Sequence, residues 1–179
     1  PVARDDTGTV EEDATLTVND GDNANTVSAA TYVDAFDISS QEFNPQGFTF
    51  SNDGTKMFLT GNNGDDVNEY TLSTGFDVST ASFVDSFDIS SQEGGPRDLA
   101  FSADGTKMFV VGVLGDDVNE YTLSTAFDVS TSSFVDSFDI SSQEDSPTGL
   151  AFSKDGTKMF VAGNGGDDIN EYTLSTGFD

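Results

Sequence analysis

The chain has 179 residues, 33 acidic side chains against 6 basic ones, a formal charge of −27, and no histidine, cysteine or tryptophan. That charge repels phosphate and anionic headgroups, which argues against nucleic acid and lipid surfaces as partners. No apolar run approaches the ~18 residues of a membrane span, so no membrane insertion is expected. Zero cysteine removes disulfides and thiolate chemistry, and zero histidine removes the commonest general base and any Ser-His-Asp triad. Paired carboxylates or lysine remain as catalytic groups. Sixteen phenylalanines and four tyrosines mark a folded chain, because a solvated acidic tail lacks them.

Residues 1–26 form an acidic leader. Val10, Ala14, Leu16 and Val18 alternate with threonines there, the pattern of one half-buried strand that needs a partner edge. Pairing with a neighbouring chain and lying along the chain's own sheet edge are both open.

From residue 27 to 179 the sequence repeats with a period of 51. Phe-Asp-Ile-Ser-Ser-Gln-Glu recurs at Phe36, Phe87 and Phe138, and Asp-Gly-Thr-Lys-Met-Phe at Asp53, Asp104 and Asp155. Residues 36–86 and 87–137 are identical at 38 of 51 positions. The third copy stops nine residues short of a period, and residues 27–35 align with 78–86, so three periods lie in circularly shifted register. In this reading Thr31–Ile38 is the fourth strand of a blade whose first three strands lie in 148–174. The sequence is expected to be a mature form or a fragment.

Within one period four strands are predicted: 47–51, then 56–60 after the Asn52-Asp53-Gly54 hairpin turn, then 67–72 after the loop Gly61–Asp65, then 82–89 after a polar link. On the last, Phe83, Phe87 and Ile89 are expected to share a face. Four short strands in about 50 residues, repeated, describe an all-β propeller-type blade of four antiparallel strands, with three repeats in the chain. Three blades fall short of a usual ring; two chains, a longer parent or open stacking all remain.

The segment GLAFSKDGTKMFVAG at 149–163 resembles the bacterial YVTN and NHL-type propeller repeats, which implies a β-propeller. The leader, ARDDTGTVEEDATLTVNDGDNANT, resembles the opening strand of VCBS and bacterial cadherin-like repeats. That resemblance implies a calcium-dependent surface adhesin.

The repeated acidic loop supplies the candidate metal ligands: Asp65, Asp66 and Asn68, with Asp116, Asp117 and Asn119, and Asp167, Asp168 and Asn170. Carboxylate and amide oxygens suit Ca²⁺. The alternative is a set of turn residues on an outward polar face, with Glu69 pointing away from Asp66 and Asn68. Asp20 and Asp22 form a second calcium candidate, or a linker. Asp85, Asp88, Asp136 and Asp139 offer paired carboxylates but recur in every copy, as a polar strand surface does. Lys56, Lys107 and Lys158 are expected to pair with nearby acids. Tyr70, Tyr121 and Tyr172 are candidates for contacting glycans.

The function expected is an extracellular or cell-surface structural or adhesive protein that assembles with copies of itself into a filament, through the leader strand. It is expected not to be an enzyme, because its loops look copied and not specialised. A glycan- or protein-binding propeller module is the alternative, and a calcium-dependent hydrolase ranks last.

Overall fold

The structure, a computed structural model, describes residues 30–178. The leader positions Val10, Ala14, Leu16, Val18, Asp20 and Asp22 lie outside the described residues. The chain divides into two units, 1–33 and 34–179. The described part of the first, residues 30–33, is exposed and has no regular secondary structure.

The second unit is built of antiparallel sheets. The strands β1 (Pro45–Phe50), β2 (Lys56–Gly61), β3 (Asp66–Leu72) and β4 (Ala81–Asp88) form one sheet in that order. A second follows with β5 (Pro96–Phe101), β6 (Lys107–Gly112), β7 (Asp117–Leu123) and β8 (Ser132–Asp139). The third has β9 (Pro147–Phe152), β10 (Lys158–Gly163) and β11 (Ile169–Thr173) among the described residues. This is the all-β, propeller-type repeat read from the sequence. First strands of successive blades lie side by side, so β1, β5 and β9 form the inner wall.

Local chemistry explains the strand ends. Gly54 turns the first hairpin at φ 69°, and a Cβ there would lie 2.3 Å from the Phe76 ring. Asp53 accepts from the Thr55 backbone N–H at 3.0 Å and from the Ser51 and Thr55 hydroxyls at 2.8 Å, and these bonds pull its carboxyl down to about 2. Between β3 and β4 a 3-10 turn, Val78–Thr80, is capped by Asp77, whose side chain accepts from Ser79 N.

Two features depart from the sequence reading. Glu69 pairs with Asp85 and Tyr70 with Phe83, so Val84 is an extra residue and β4 bulges. The bulge breaks the alternation. Phe83 therefore lies on Tyr70 of its own blade (5.7 Å), while Phe87 reaches Tyr121 of the next (5.6 Å). The expected common face of Phe83, Phe87 and Ile89 is thereby corrected. The described residues up to Ile38 carry no strand, although Phe36 meets Tyr70 at 5.7 Å, as Phe87 meets Tyr121.

The blades join through one aromatic arrangement. Phe58 of β2 is fully buried against Phe101 (4.4 Å) and Phe127 (6.1 Å) of the second blade, and Phe109 repeats this with Phe152 (4.5 Å) and Phe178 (6.3 Å). Lys56 Nζ donates to Glu69 Oε1 and to the Phe127 carbonyl, each at 2.6 Å, while Val129 N donates to Glu69 Oε2 at 2.9 Å. The expected lysine–acid pair is thus part of the blade junction.

Each blade also hides a glutamate that the sequence shows only as the end of a polar run. Glu42, Glu93 and Glu144 are buried. The Glu93 carboxylate accepts from the backbone N–H of Gly95 (2.6 Å), Leu114 (3.2 Å) and Gly115 (3.3 Å), tying the loop before β5 to the loop between β6 and β7. A Cβ at Gly112 would sit 2.3 Å from the Glu93 carboxyl carbon. Burial opposes ionisation of Glu144, yet the Gly165, Ser146 and Gly166 N–H groups hold its carboxyl below the usual value. Glu93→Ala leaves those donors without their acceptor and is expected to cost about 2–4 kcal/mol in urea unfolding. Glu93→Gln, which keeps the shape and one acceptor oxygen, is expected to cost less. Equal unfolding midpoints for Glu93→Ala and wild type would contradict the assignment.

Candidate functional site

In the antiparallel sheets Pro45 opposes Gly61, and Asp66 opposes Asp88. One rim of each blade therefore collects the loop before its first strand, the loop between its second and third, and the close of its fourth. The acidic candidates lie here. Asp65, Asp116 and Asp167 hold left-handed backbone conformations (φ 50°, 50° and 55°), and the carbonyls of Asp65 and Asp116 accept from Ile89 N and Ile140 N at 2.9 Å. These aspartates shape turns. Asp66, Asp117 and Asp168 each accept from the amide of Asn68, Asn119 or Asn170 at 2.7–2.8 Å. Glu69 points the other way, to Lys56. Among the described residues no group of three or more acid side chains is arranged to hold a metal ion. Burial raises the Asp66 carboxyl, partly offset by the Asn68 bond, with Glu42 adding repulsion; burial and then Asp145 raise Asp116.

The tyrosines do not present rings to solvent as a glycan platform requires. Tyr70 and Tyr121 are fully buried and Tyr172 partly so. Burial, with the charges of Asp66 and Glu42, pushes the Tyr70 phenol up to about 12.

A different set of rim residues is specialised. Comparing the three copies position by position, several differences fall in the loop before the first strand, in the first half of that strand, and at the tip of the loop between the second and third strands. They read Phe43/Gly94/Asp145, Gln46/Arg97/Thr148, Gly47/Asp98/Gly149 and Asn63/Leu114/Gly165. The register of β1, β5 and β9 skips Gln46, Arg97 and Thr148. A bulge on an inner strand re-aims its side chain, and such bulges concentrate at barrel rims and active sites.

Two charged residues, Arg97 and Asp98, stand here in the second copy alone. Arg97 Nη1 donates to Gln46 Oε1 at 2.9 Å, and Gln46 Nε2 donates to Asn44 Oδ1 at 3.2 Å, a chain of bonds from blade 1 to blade 2. No carboxylate among the described residues lies within ion-pair distance of Arg97. Asp98 accepts from its neighbour Leu99 N (2.9 Å, Oδ1) and from Leu150 N of the third blade (2.8 Å, Oδ2). Burial raises its carboxyl, and the Leu150 and Leu99 N–H bonds oppose that only in part. The rim therefore holds a guanidinium with no acid partner among the described residues, next in sequence to a carboxyl that burial raises.

No protein-family model matches the sequence, and no curated protein matches it. Solved structures do resemble it. A Bacteroides fragilis protein provisionally named a 6-phosphogluconolactonase is 18% identical with a TM-score of 0.58, over 74% of this chain and 36% of that one. The periplasmic gluconolactonase of Pseudomonas aeruginosa is 20% identical with a TM-score of 0.52, over 73% and 37%. Hydrazine synthase of Kuenenia stuttgartiensis is 19% identical with a TM-score of 0.54, over 80% and 36%. The chain spans little more than a third of the length of each, and the likeness is one of fold. These neighbours bear the names of enzymes, lactonases among them. That finding overturns the expectation of a filamentous adhesive protein and of a chain without catalysis. The acidic loops are alike in the three copies, whereas the inner strands diverge at Gln46/Arg97/Thr148 and Gly47/Asp98/Gly149.

Glycine is required beside Asp98 on one side only. A Cβ at Gly47 would lie 2.7 Å from the Asp98 Cα, whereas at Gly149 the nearest atoms are 3.8 Å and 4.0 Å away. Gly47→Ala is expected to destabilise by about 1–3 kcal/mol and Gly149→Ala to stay near neutral, read as paired thermal unfolding curves. A larger loss for Gly149→Ala would contradict this rim geometry.

Proposed function

We propose that this chain contributes three blades to a propeller hydrolase that opens a lactone or similar small ester at the inner rim. The observation that carries the reading is the divergence of the blades at the rim, which leaves one arginine and one part-buried carboxylate there. The lactonase names of fold neighbours support the substrate class.

In this mechanism Arg97 faces the carbonyl oxygen and stabilises the charge that develops there as water adds. Asp98, ionised, takes the proton of the attacking water. It then returns that proton to the ring oxygen as the C–O bond breaks, which yields the hydroxy acid. Each Asp98 oxygen uses one lone pair on a backbone N–H, so one remains for the proton. The base works only when ionised, so turnover falls as pH drops through a carboxyl value lying above the ordinary one.

The blades provide their own control substitutions. Arg97→Thr and Asp98→Gly install the residues of the third blade, which the same backbone already accommodates. With glucono-δ-lactone followed by proton release, each is expected to lower kcat/KM by about a hundredfold; the unfolding midpoint changes little for Arg97→Thr and falls for Asp98→Gly, which leaves Leu150 N without its acceptor. Unaltered turnover in both variants, or no turnover by the wild-type chain above buffer, would sink the reading.

A further inference from the structure

The two blade junctions within the chain are built alike, and the outer faces of blades 1 and 3 carry the halves of another. At each junction one phenylalanine of a second strand enters a pair presented by the following blade. Those pairs, Phe101–Phe127 and Phe152–Phe178, are each 5.5 Å apart. Blade 1 presents the same pair, Phe50–Phe76, also at 5.5 Å, and no described phenylalanine enters it. Phe76 is 61% exposed, and Phe48 is 64% exposed where its counterpart Leu99 is 3%.

Blade 3 carries the entering half. Phe160 stands at the position of Phe58 and Phe109. Beside it Ile169 is 71% exposed, while its counterparts Val67 and Val118 are 0% and 3%. The Lys158–Glu171 pair has side chains 46% and 50% exposed, against 27% and 2% for Lys56–Glu69. The buried pair holds the Phe127–Val129 turn of the following blade; the exposed pair has the same groups and, among the described residues, no such turn.

We infer that the trailing face of blade 3 docks on the leading face of blade 1 in a second copy of this chain, and that the reciprocal contact closes the pair into a ring. The interface continues one that the chain already forms twice, and its ionic half is matched by the turn that follows Phe76. The contact is head-to-tail, and such contacts form rings when the rotation closes. Two copies supply six blades, within the four to eight that make a propeller. The ring completes the inner wall begun by β1, β5 and β9, so the rim belongs to both copies. Each copy carries −27, so association tightens as salt screens the repulsion. The inference does not depend on lactone chemistry.

Native mass spectrometry and light scattering on the 179-residue chain, in low and high salt, test it. The expected species has twice the 18.9 kDa chain mass and is favoured by salt. Phe160→Ser is expected to give monomer. Phe76→Ser, on a ring already largely exposed, gives the same answer without threatening the fold. Mixing the two variants is expected to restore part of the dimer, because one contact then has both wild-type halves. A monomer at high micromolar concentration in both salts, an open ladder of higher species, or a dimer that survives both substitutions would overturn the inference.

Discussion

Phe58 closes against Phe101 and Phe127, and the other features of the molecule depend on that contact. A four-stranded sheet has two faces, and among the described residues no α-helix covers either, so each blade must be covered by the next. The aromatic insertion supplies the apolar area, and the Lys56–Glu69 pair fixes the turn that carries Phe127 and Val129. Because the contact uses the same positions in every blade, those positions cannot diverge without losing a junction. This accounts for the near identity of the copies at Phe-Ser-x-Asp-Gly-Thr-Lys-Met-Phe and at Asn-Glu-Tyr-Thr-Leu.

The rim escapes that constraint. Glu42, Glu93 and Glu144 hold the rim loops through backbone N–H groups, so the side chains on those loops are free to change. Phe43, Gly94 and Asp145 share one loop position, and Gln46, Arg97 and Thr148 share one bulge. A conserved backbone clamp beneath variable side chains suits a scaffold whose chemistry is set at one end of its strands.

Much of the fold was legible in the sequence. The period, the Asp-Gly hairpins and the alternating aromatics of β1 gave the blades, because turn chemistry and strand alternation act locally. The Val84 bulge was not legible, since SFVDSFD reads as plain alternation and only the register with Glu69 and Tyr70 reveals the extra residue. The buried glutamates were missed because burial of a carboxylate depends on N–H donors from a loop about 20 residues away in the chain. Of the site, the acidic loops were visible; in the structure Asp65 turns the chain and Asp66, opening β3, is bonded to Asn68. Arg97 and Asp98 were also visible, as departures of the second copy from the first and third. The signal lay in positions that do not repeat.

Titration of the ¹⁵N-labelled chain with gluconate, the product of glucono-δ-lactone opening, tests most directly whether the rim is the site. Shifts centred on Gln46, Arg97, Asp98 and Thr148 are the predicted result. Shifts confined to the Gly-Asp-Asp loops, or to the outer strands β4 and β8, would contradict the account.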